Sequence, residues 1–315
     1  MSLSFVFPGQ GAQTIGMGRD LADAYPAAKL VFEEVDDALG EKLSTLIWDG
    51  DAETLTLTQN AQPALMATSL AAVRALEAEG ISVTSASYVA GHSLGEYSAL
   101  CAAGSIGLAD TARLLRLRGQ AMQSAVPVGE GAMAAVLGLD IDAVEALAAD
   151  AAEGDICEVA NENDPAQTVV SGSKSAIDRV VSMAKERGAK RALPLPVSAP
   201  FHCALMQPAA DAMAEALAEV SITAPAVPLV ANVVAEAVSS PDDIRRFLVE
   251  QVAGRVRWRA SVEWMAGAGV DTFWELGAGK ALSGMIRRIA RDAETRAVGS
   301  ASDVSEAAAA LRPSA

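Results

Sequence analysis

Gly91-His92-Ser93-Leu94-Gly95 is the stretch of this chain best suited to covalent chemistry. A short β-prone run, Tyr88-Val89-Ala90, leads into it, and a helix-capable run from Glu96 to Ala103 leaves it and stops at Gly104. Strand, tight turn and helix is the context of a nucleophile elbow. The glycines let the chain turn with no Cβ in the way, so Ser93 stands at the tip with its hydroxyl exposed. The helix N-terminus beneath it favours negative charge. A serine nucleophile needs a base, and the chain has only two histidines, His92 and His202. His92 ends the strand next to the serine, so its side chain points the other way and serves as a structural residue under the elbow. His202 is then the base. It lies in the loop Val197-Ser198-Ala199-Pro200-Phe201-His202-Cys203, where catalytic groups can ride on a rigid frame. Cys203 reads as a buried, passive thiol. No Asp or Glu has a context that marks it as the third member of a triad. Oxyanion donors are easier to place. One is the backbone N–H of Leu94, and the other comes from the loop Gly9-Gln10-Gly11 after the first strand, each worth about 3 kcal/mol of barrier. That loop also opens like a dinucleotide fingerprint, but Thr14 stands where the third glycine belongs.

Arg118 is the other informative position. Leu114, Leu115, Ala121, Met122 and Ala125 surround it at helical spacing, which centres it on the apolar stripe of a helix. An arginine that faces inward must find an anion or strong acceptors, because an unpaired buried charge is costly. The competing explanations are a structural ion pair or an apolar stem that carries the charge outward.

These groups need a frame. Leu3 to Phe7 reads as a buried first strand, with a helix starting near Gly16. Ala22 to Leu39 and Asn60 to Glu79 read as helices, each ending at glycine. Asp110 to Ala125 reads as the helix that carries Arg118, with Asp110 as N-cap. From Gly131 the order becomes strand, helix, two strands joined by the turn Asn161 to Pro165, helix, strand. That order is the split βαβ arrangement of a ferredoxin-like unit. After Pro200 the chain reads as helix Leu205–Val220, strand Val227–Val233 and helix Asp242–Val252, capped from Ser239 or Ser240. Helix Ser261–Ala268, strand Val270–Glu275, helix Ala281–Ala293 and an alanine-rich tail from Ser300 follow. The expectation is an α/β fold with a mostly parallel sheet over residues 1–127 and 199–315, and a ferredoxin-like insertion over 128–198.

Composition narrows the function classes. The 315 residues, 51% hydrophobic and 20% charged, suffice for a large core. No apolar run is long enough to span a bilayer, and the start of the chain lacks the features of a signal peptide. Cys101, Cys157 and Cys203 are scattered and odd in number, which suggests reduced thiols and a cytoplasmic protein. With so few His and Cys, no metal site is expected. A net charge of −16 argues against nucleic acid as a partner but leaves room for an acidic protein that meets a local basic patch. The candidate patches are Lys185-Arg187-Lys190-Arg191 and Lys280-Arg287-Arg288-Arg291, either of which could equally be a solvated helix face.

Four stretches together carry a family resemblance. They are Phe7-Pro8-Gly9-Gln10-Gly11-Ala12-Gln13, Gly91-His92-Ser93-Leu94-Gly95-Glu96-Tyr97, Leu117-Arg118-Gly119 and Val197-Ser198-Ala199-Pro200-Phe201-His202. In that order they resemble the malonyl-CoA:acyl carrier protein transacylases, over nearly the whole chain. The resemblance implies an α/β-hydrolase-like domain with a ferredoxin-like insertion. It also implies malonyl transfer from malonyl-CoA to the phosphopantetheine thiol of acyl carrier protein in fatty-acid biosynthesis. Ser93 would be the acylated nucleophile, His202 its base, and Arg118 the partner of the malonyl carboxylate. Gln10 and Leu94 would supply the oxyanion donors. Gln251 matches a family glutamine whose main-chain carbonyl orients the histidine. His92, Asn161, Asn163 and Phe201 would line the cleft, and Phe201 with Leu94 resembles malonyl-selective members. Asp164-Pro165-Ala166-Gln167 departs from the usual Pro-Gly-Gln. A monomer without cofactor is the expectation. The rival readings are a serine thioesterase or esterase, a non-catalytic acyl-binding subunit, and malonyl transfer that serves a polyketide pathway.

Overall fold

A computed structural model describes residues 2–311, so Met1 and residues 312–315 of the alanine-rich tail lie outside the description. Strand β1 (Leu3–Phe7) is buried at every position, as an apolar run in the middle of a parallel sheet must be. Five helices follow: α1 (Arg19–Ala24), α2 (Pro26–Leu39), α3 (Leu43–Asp49), α4 (Ala52–Thr56) and α5 (Thr58–Ala78). The single helix expected from Ala22 to Leu39 is broken at Tyr25, which is extended because Pro26 follows it. α3 and α4 are too short to show a period in the sequence. α5 is buried along most of its length and forms the central post of the large domain.

Strand β2 (Tyr88–Gly91) enters the elbow, and α6 (Leu94–Ala102) leaves it. α7 (Leu108–Ser124) carries Arg118 and starts from Gly107. Asp110 is therefore not its cap; it lies in the first turn and pairs with Arg113. The chain then builds β3 (Gly131–Leu137), α8 (Ile141–Ala152), β4 (Cys157–Asp164), β5 (Gln167–Ser173), α9 (Lys174–Met183) and β6 (Arg191–Pro194). Asn161 and Asn163, expected in a turn, lie on β4; the hairpin turns later, at Pro165-Ala166. The large domain resumes with α10 (Gln207–Ala218), β7 (Leu229–Val230), β8 (Ala237–Val238), α11 (Pro241–Ala253) and α12 (Trp258–Gly267). It ends with β9 (Thr272–Leu276), α13 (Ala281–Ile289), β10 (Glu294–Val298) and α14 (Ala301–Leu311). Ser240 caps α11 by accepting the Asp243 N–H. β7 is shorter than the expected Val227–Val233 because Asn232 leaves the ladder to bond the elbow.

The large sheet has the order β10-β9-β1-β2-β7-β8, parallel throughout except for the β7–β8 pair. The small sheet has the order β4-β5-β3-β6, with every pair antiparallel. The expected mostly parallel α/β sheet and split βαβ insertion are thus both present. β3 alternates faces with period two. Ala134 and Val136 pack under α8 and α9, while Met133 and Ala135 join the core of the large domain. The two domains are also stitched through the backbone: Val256 donates to Ala160 (2.8 Å) and accepts from Glu162 (2.9 Å).

The elbow glycines are required by close approach. A Cβ on Gly91 would lie 1.9 Å from the Gly95 carbonyl, and one on Gly95 would lie 2.2 Å from the Phe7 carbonyl oxygen. β1, β2 and α6 can therefore meet only at residues without side chains. Gly95→Ala is expected to lower the unfolding free energy by about 1–3 kcal/mol, as overpacking does. Chemical denaturation measures this, and unchanged stability would mean that β1 and α6 can separate.

Candidate active site

The elbow holds Ser93 in a conformation rarely adopted outside glycine, with φ 54° and ψ −112°. Such strain costs on the order of 1–3 kcal/mol and persists only when neighbours enforce it. Asn232 is the enforcer. Its side chain accepts the Ser93 N–H (2.9 Å) and donates to the Gly91 carbonyl (2.7 Å), bridging both ends of the turn. Leu94 is the first residue of α6, so helix geometry gives its N–H no intrahelical partner. Gln10, Ser93 and Leu94 line one cleft of about 410 Å³, together with His92, Arg118, Met133, Asn161, Leu195, Phe201 and His202.

Ser93 Oγ lies 2.8 Å from His202 Nε2. The other ring nitrogen, Nδ1, faces two carbonyl oxygens, of Gln251 at 2.8 Å and of Gly254 at 3.1 Å. Carbonyls only accept, so Nδ1 carries the proton and Nε2 presents its lone pair to the serine. His202 also has a left-handed backbone, φ 59°, which fixes the ring's approach. Burial, and then the Arg118 charge, push its pKa down to about 3. The imidazole is therefore neutral and ready to accept a proton. No carboxylate takes part in orienting it among the described residues.

Arg118 is 1% exposed. Its guanidinium donates to Gln62 Oε1 (2.8 Å), Gln251 Oε1 (2.7 Å) and Ser93 Oγ (3.1 Å), and it lies 5.6 Å from the centre of the Tyr97 ring. Its Nε has no hydrogen-bond partner. Burial lowers its pKa. Amides hold this cation, and no ion pair reaches it among the described residues. Its positive charge therefore stands uncancelled beside the serine. The loop that carries Gln10 is tied to the same network: Thr58 donates to Gln10 Oε1 (2.9 Å) and accepts from Gln62 Nε2 (2.9 Å).

Gln251 joins the two halves. Its backbone carbonyl holds His202, while its amide touches Arg118, the Ser93 carbonyl (3.0 Å) and Glu96 Oε2 (2.7 Å). Sequence reasoning foresaw only the backbone contact, through the resemblance. It missed Glu96, Asn232 and Gln62. Glu96 belongs to the elbow motif, but an acid in a first helical turn suggests only the helix dipole. Asn232 had one legible signal, its place at the carboxyl end of a strand, where open α/β sheets collect their sites. His92 turns away from Ser93 and donates from Nε2 to Asn163 Oδ1 (2.9 Å), while Asn163 donates to Gln167 (3.2 Å). Asn161 lines the cleft and bridges to Val256. Asp164, at the departing hairpin, accepts the Ala166 N–H and pairs with Arg288 at 2.7 Å. Cys203 is buried and donates to the Pro200 carbonyl, and burial raises its pKa, which makes it a passive thiol.

The chain matches the acyl transferase domain family over residues 4–309. It belongs to that family. A malonyl CoA-acyl carrier protein transacylase of Bacillus subtilis is 46% identical over 94% of this chain and 93% of its own length. The Escherichia coli K12 protein of the same name is 48% identical over 91% of this chain and 92% of its own. An acyl-carrier-protein-S-malonyltransferase structure from Bartonella henselae superposes with a TM-score of 0.97 at 55% identity, covering 99% of each chain. A malonyl-transacylase in complex with its type II PKS acyl-carrier protein has a TM-score of 0.95 at 42% identity, covering 98% of this chain and 100% of that one. This acyl transferase is accordingly an enzyme. Its fold brings Ser93, His202 and Arg118 together from an elbow, a loop and a helix.

Burial pushes the Glu96 carboxyl up to about 7 from an ordinary 4.5. Between these values the folded chain keeps a proton that the unfolded chain has lost. The stability carried by this group is therefore complete below pH 4.5 and falls as pH rises towards 7. Glu96→Gln removes that dependence. Its stability relative to the unaltered enzyme should rise between pH 4.5 and 7.5 in chemical denaturation, and a flat difference would give Glu96 an ordinary pKa.

Proposed function

We propose that this acyl transferase moves the malonyl group of malonyl-CoA to the phosphopantetheine thiol of acyl carrier protein, in fatty-acid biosynthesis. The observation that carries the reading is Arg118, a buried cation without a carboxylate partner, set 3.1 Å from the nucleophilic oxygen. A malonyl group attached at Ser93 ends in a carboxylate two carbons from its carbonyl, within reach of that guanidinium. The planar fork of an arginine suits a carboxylate better than the point charge of a lysine.

In the first half-reaction Ser93 Oγ attacks the thioester carbon, and its proton passes to His202 Nε2. The oxyanion rests on the backbone N–H groups of Leu94 and Gln10. The C–S bond breaks, and CoA leaves as the thiol with the proton from His202. In the second half, the carrier thiol gives its proton to His202 and attacks the malonyl-Ser93 ester. Ser93 leaves and recovers the proton, in ping-pong covalent catalysis. Ser93 and His202 are enough for this sequence, so no cofactor enters the reading. Two carbonyls on Nδ1 hold the ring in place of a carboxylate, and Nε2 returns its proton to the CoA sulfur in the first half and to Ser93 Oγ in the second. Met133, Leu195 and Phe201 give the cleft apolar walls that hold back competing water.

Brief exposure to malonyl-CoA should leave one malonyl adduct by mass spectrometry, absent in Ser93→Ala. Malonyl release to water faster than transfer to a carrier thiol would make the enzyme a thioesterase instead. Arg118→Ala should lose malonyl transfer selectively over acetyl transfer. A charge-assisted contact of about 1.5–3 kcal/mol corresponds to roughly ten- to over a hundredfold. Equal loss for both acyl groups would assign Arg118 a structural role.

A further inference from the structure

Among the described residues, the hydrogen-bonded cluster around Ser93, His202 and Arg118 contains one carboxyl, that of Glu96. The reaction proposed above gives it no task. Glu96 sits in the first turn of α6, three residues beyond the nucleophile, and is 1% exposed. Its Oε2 accepts two N–H groups, the Asn232 backbone at 3.2 Å and the Gln251 amide at 2.7 Å. Its Oε1 is buried without a partner. An unpaired buried oxygen penalises an ionised carboxylate far more than a neutral carboxyl. The geometry thus favours the protonated acid, and burial acts in the same direction, pushing the pKa up to about 7.

Gln251 ties this carboxyl to the cation. Its Nε2 donates to Glu96 Oε2 and to the Ser93 carbonyl, which turns its Oε1 towards Arg118, whose guanidinium donates at 2.7 Å. Loss of the Glu96 proton places a full negative charge one amide away from Arg118. The neighbouring elements supply no other charge at this point. α7 brings Arg118, whereas α11 and the end of β7 bring the neutral side chains of Gln251 and Asn232. β1 and β2 hold no charged residue. Arg74 of α5 acts at the far end of α6, beside Cys101, and is paired with Glu77. His202 stays neutral with a pKa of about 3, burial lowers the pKa of His92 as well, and burial pushes the Tyr97 hydroxyl up to about 12.

We propose that Glu96 is a specificity-determining residue, which sets the net charge of the Arg118 pocket and thereby selects the acyl group by its charge. Neutral, it leaves the pocket positive, and an acyl group that ends in a carboxylate is favoured. Ionised, it cancels the positive charge, and an uncharged acyl group competes on more equal terms. A malonyl group on Ser93 in turn stabilises the proton on Glu96, because the coupling is reciprocal. The inference rests on the malonyl reading above.

The test is the ratio of kcat/KM for malonyl-CoA to that for acetyl-CoA, followed from about pH 6 to about pH 8.5. Steps that both substrates share, proton transfer through His202 among them, cancel in this ratio. The ratio should fall roughly tenfold as pH rises, the effect of a unit charge roughly 10 Å away in a medium of effective dielectric about 20. Glu96→Gln keeps an acceptor for Asn232 and Gln251 but never ionises, so its ratio should hold the low-pH value throughout. A ratio that does not change with pH in the unaltered enzyme, or that falls equally in the variant, would overturn the proposal. Infrared difference spectra of the unaltered enzyme supply a measurement that needs no variant to fold. A protonated-carboxyl band should disappear across the same pH range, and a spectrum without such a band would overturn the proposal too. Absence of any malonyl adduct on Ser93 would instead remove the malonyl reading beneath it.

Discussion

A buried guanidinium held only by neutral groups is the interaction on which the site depends. Burying a charge is expensive, and an ion pair with one of the chain's many acids would have lowered the cost. The structure uses Gln62, Gln251 and the Ser93 hydroxyl instead. Each gives the cation an acceptor without cancelling its charge. The charge stays available for an incoming carboxylate, and the desolvated pocket makes that contact stronger than it would be in water. Glu96 is the nearest acid in the network, but it reaches Arg118 through the Gln251 amide, and burial raises its pKa.

The positions of the reactive groups follow from the topology. The elbow sits at the end of β2, inside the parallel sheet, where the carboxyl ends of strands open a crevice. α7 brings Arg118 in from the side, packed against α5, which supplies Gln62. The small sheet closes the crevice from above. It is fixed through Val256 and the Asp164–Arg288 pair, so the mouth of the cleft has one wall on each domain.

Much of this was legible in the residues. The elbow was readable because strand, glycines and helix all state the same turn. Arg118 was readable because a charge at the centre of an apolar stripe contradicts its surroundings, and such conflicts mark function. The split βαβ unit could be read from its element order. What stayed hidden were the interactions made across long sequence separations. Asn232 reaches the elbow from 139 residues away in sequence, and no local pattern can announce that. The orienting partner of His202 is a main-chain carbonyl, a group that every residue owns, so a search for acids could not find it by chemistry alone. Short elements were lost for a different reason: α3, α4 and β8 have too few residues to display a period. The asparagines at 161 and 163 look like turn formers, yet pairing with β5 and Val256 holds them extended.

Gln251 divides its work between two parts of one residue. Its carbonyl, which serves His202, belongs to the backbone and survives any substitution that preserves α11. Its amide, which serves Arg118, vanishes with the side chain. A substitution here therefore changes the hold on Arg118, together with the amide's bonds to the Ser93 carbonyl and Glu96, while the carbonyl contact to His202 stays. One residue thus carries two separable contacts, of which only the one to Arg118 is written in its side chain.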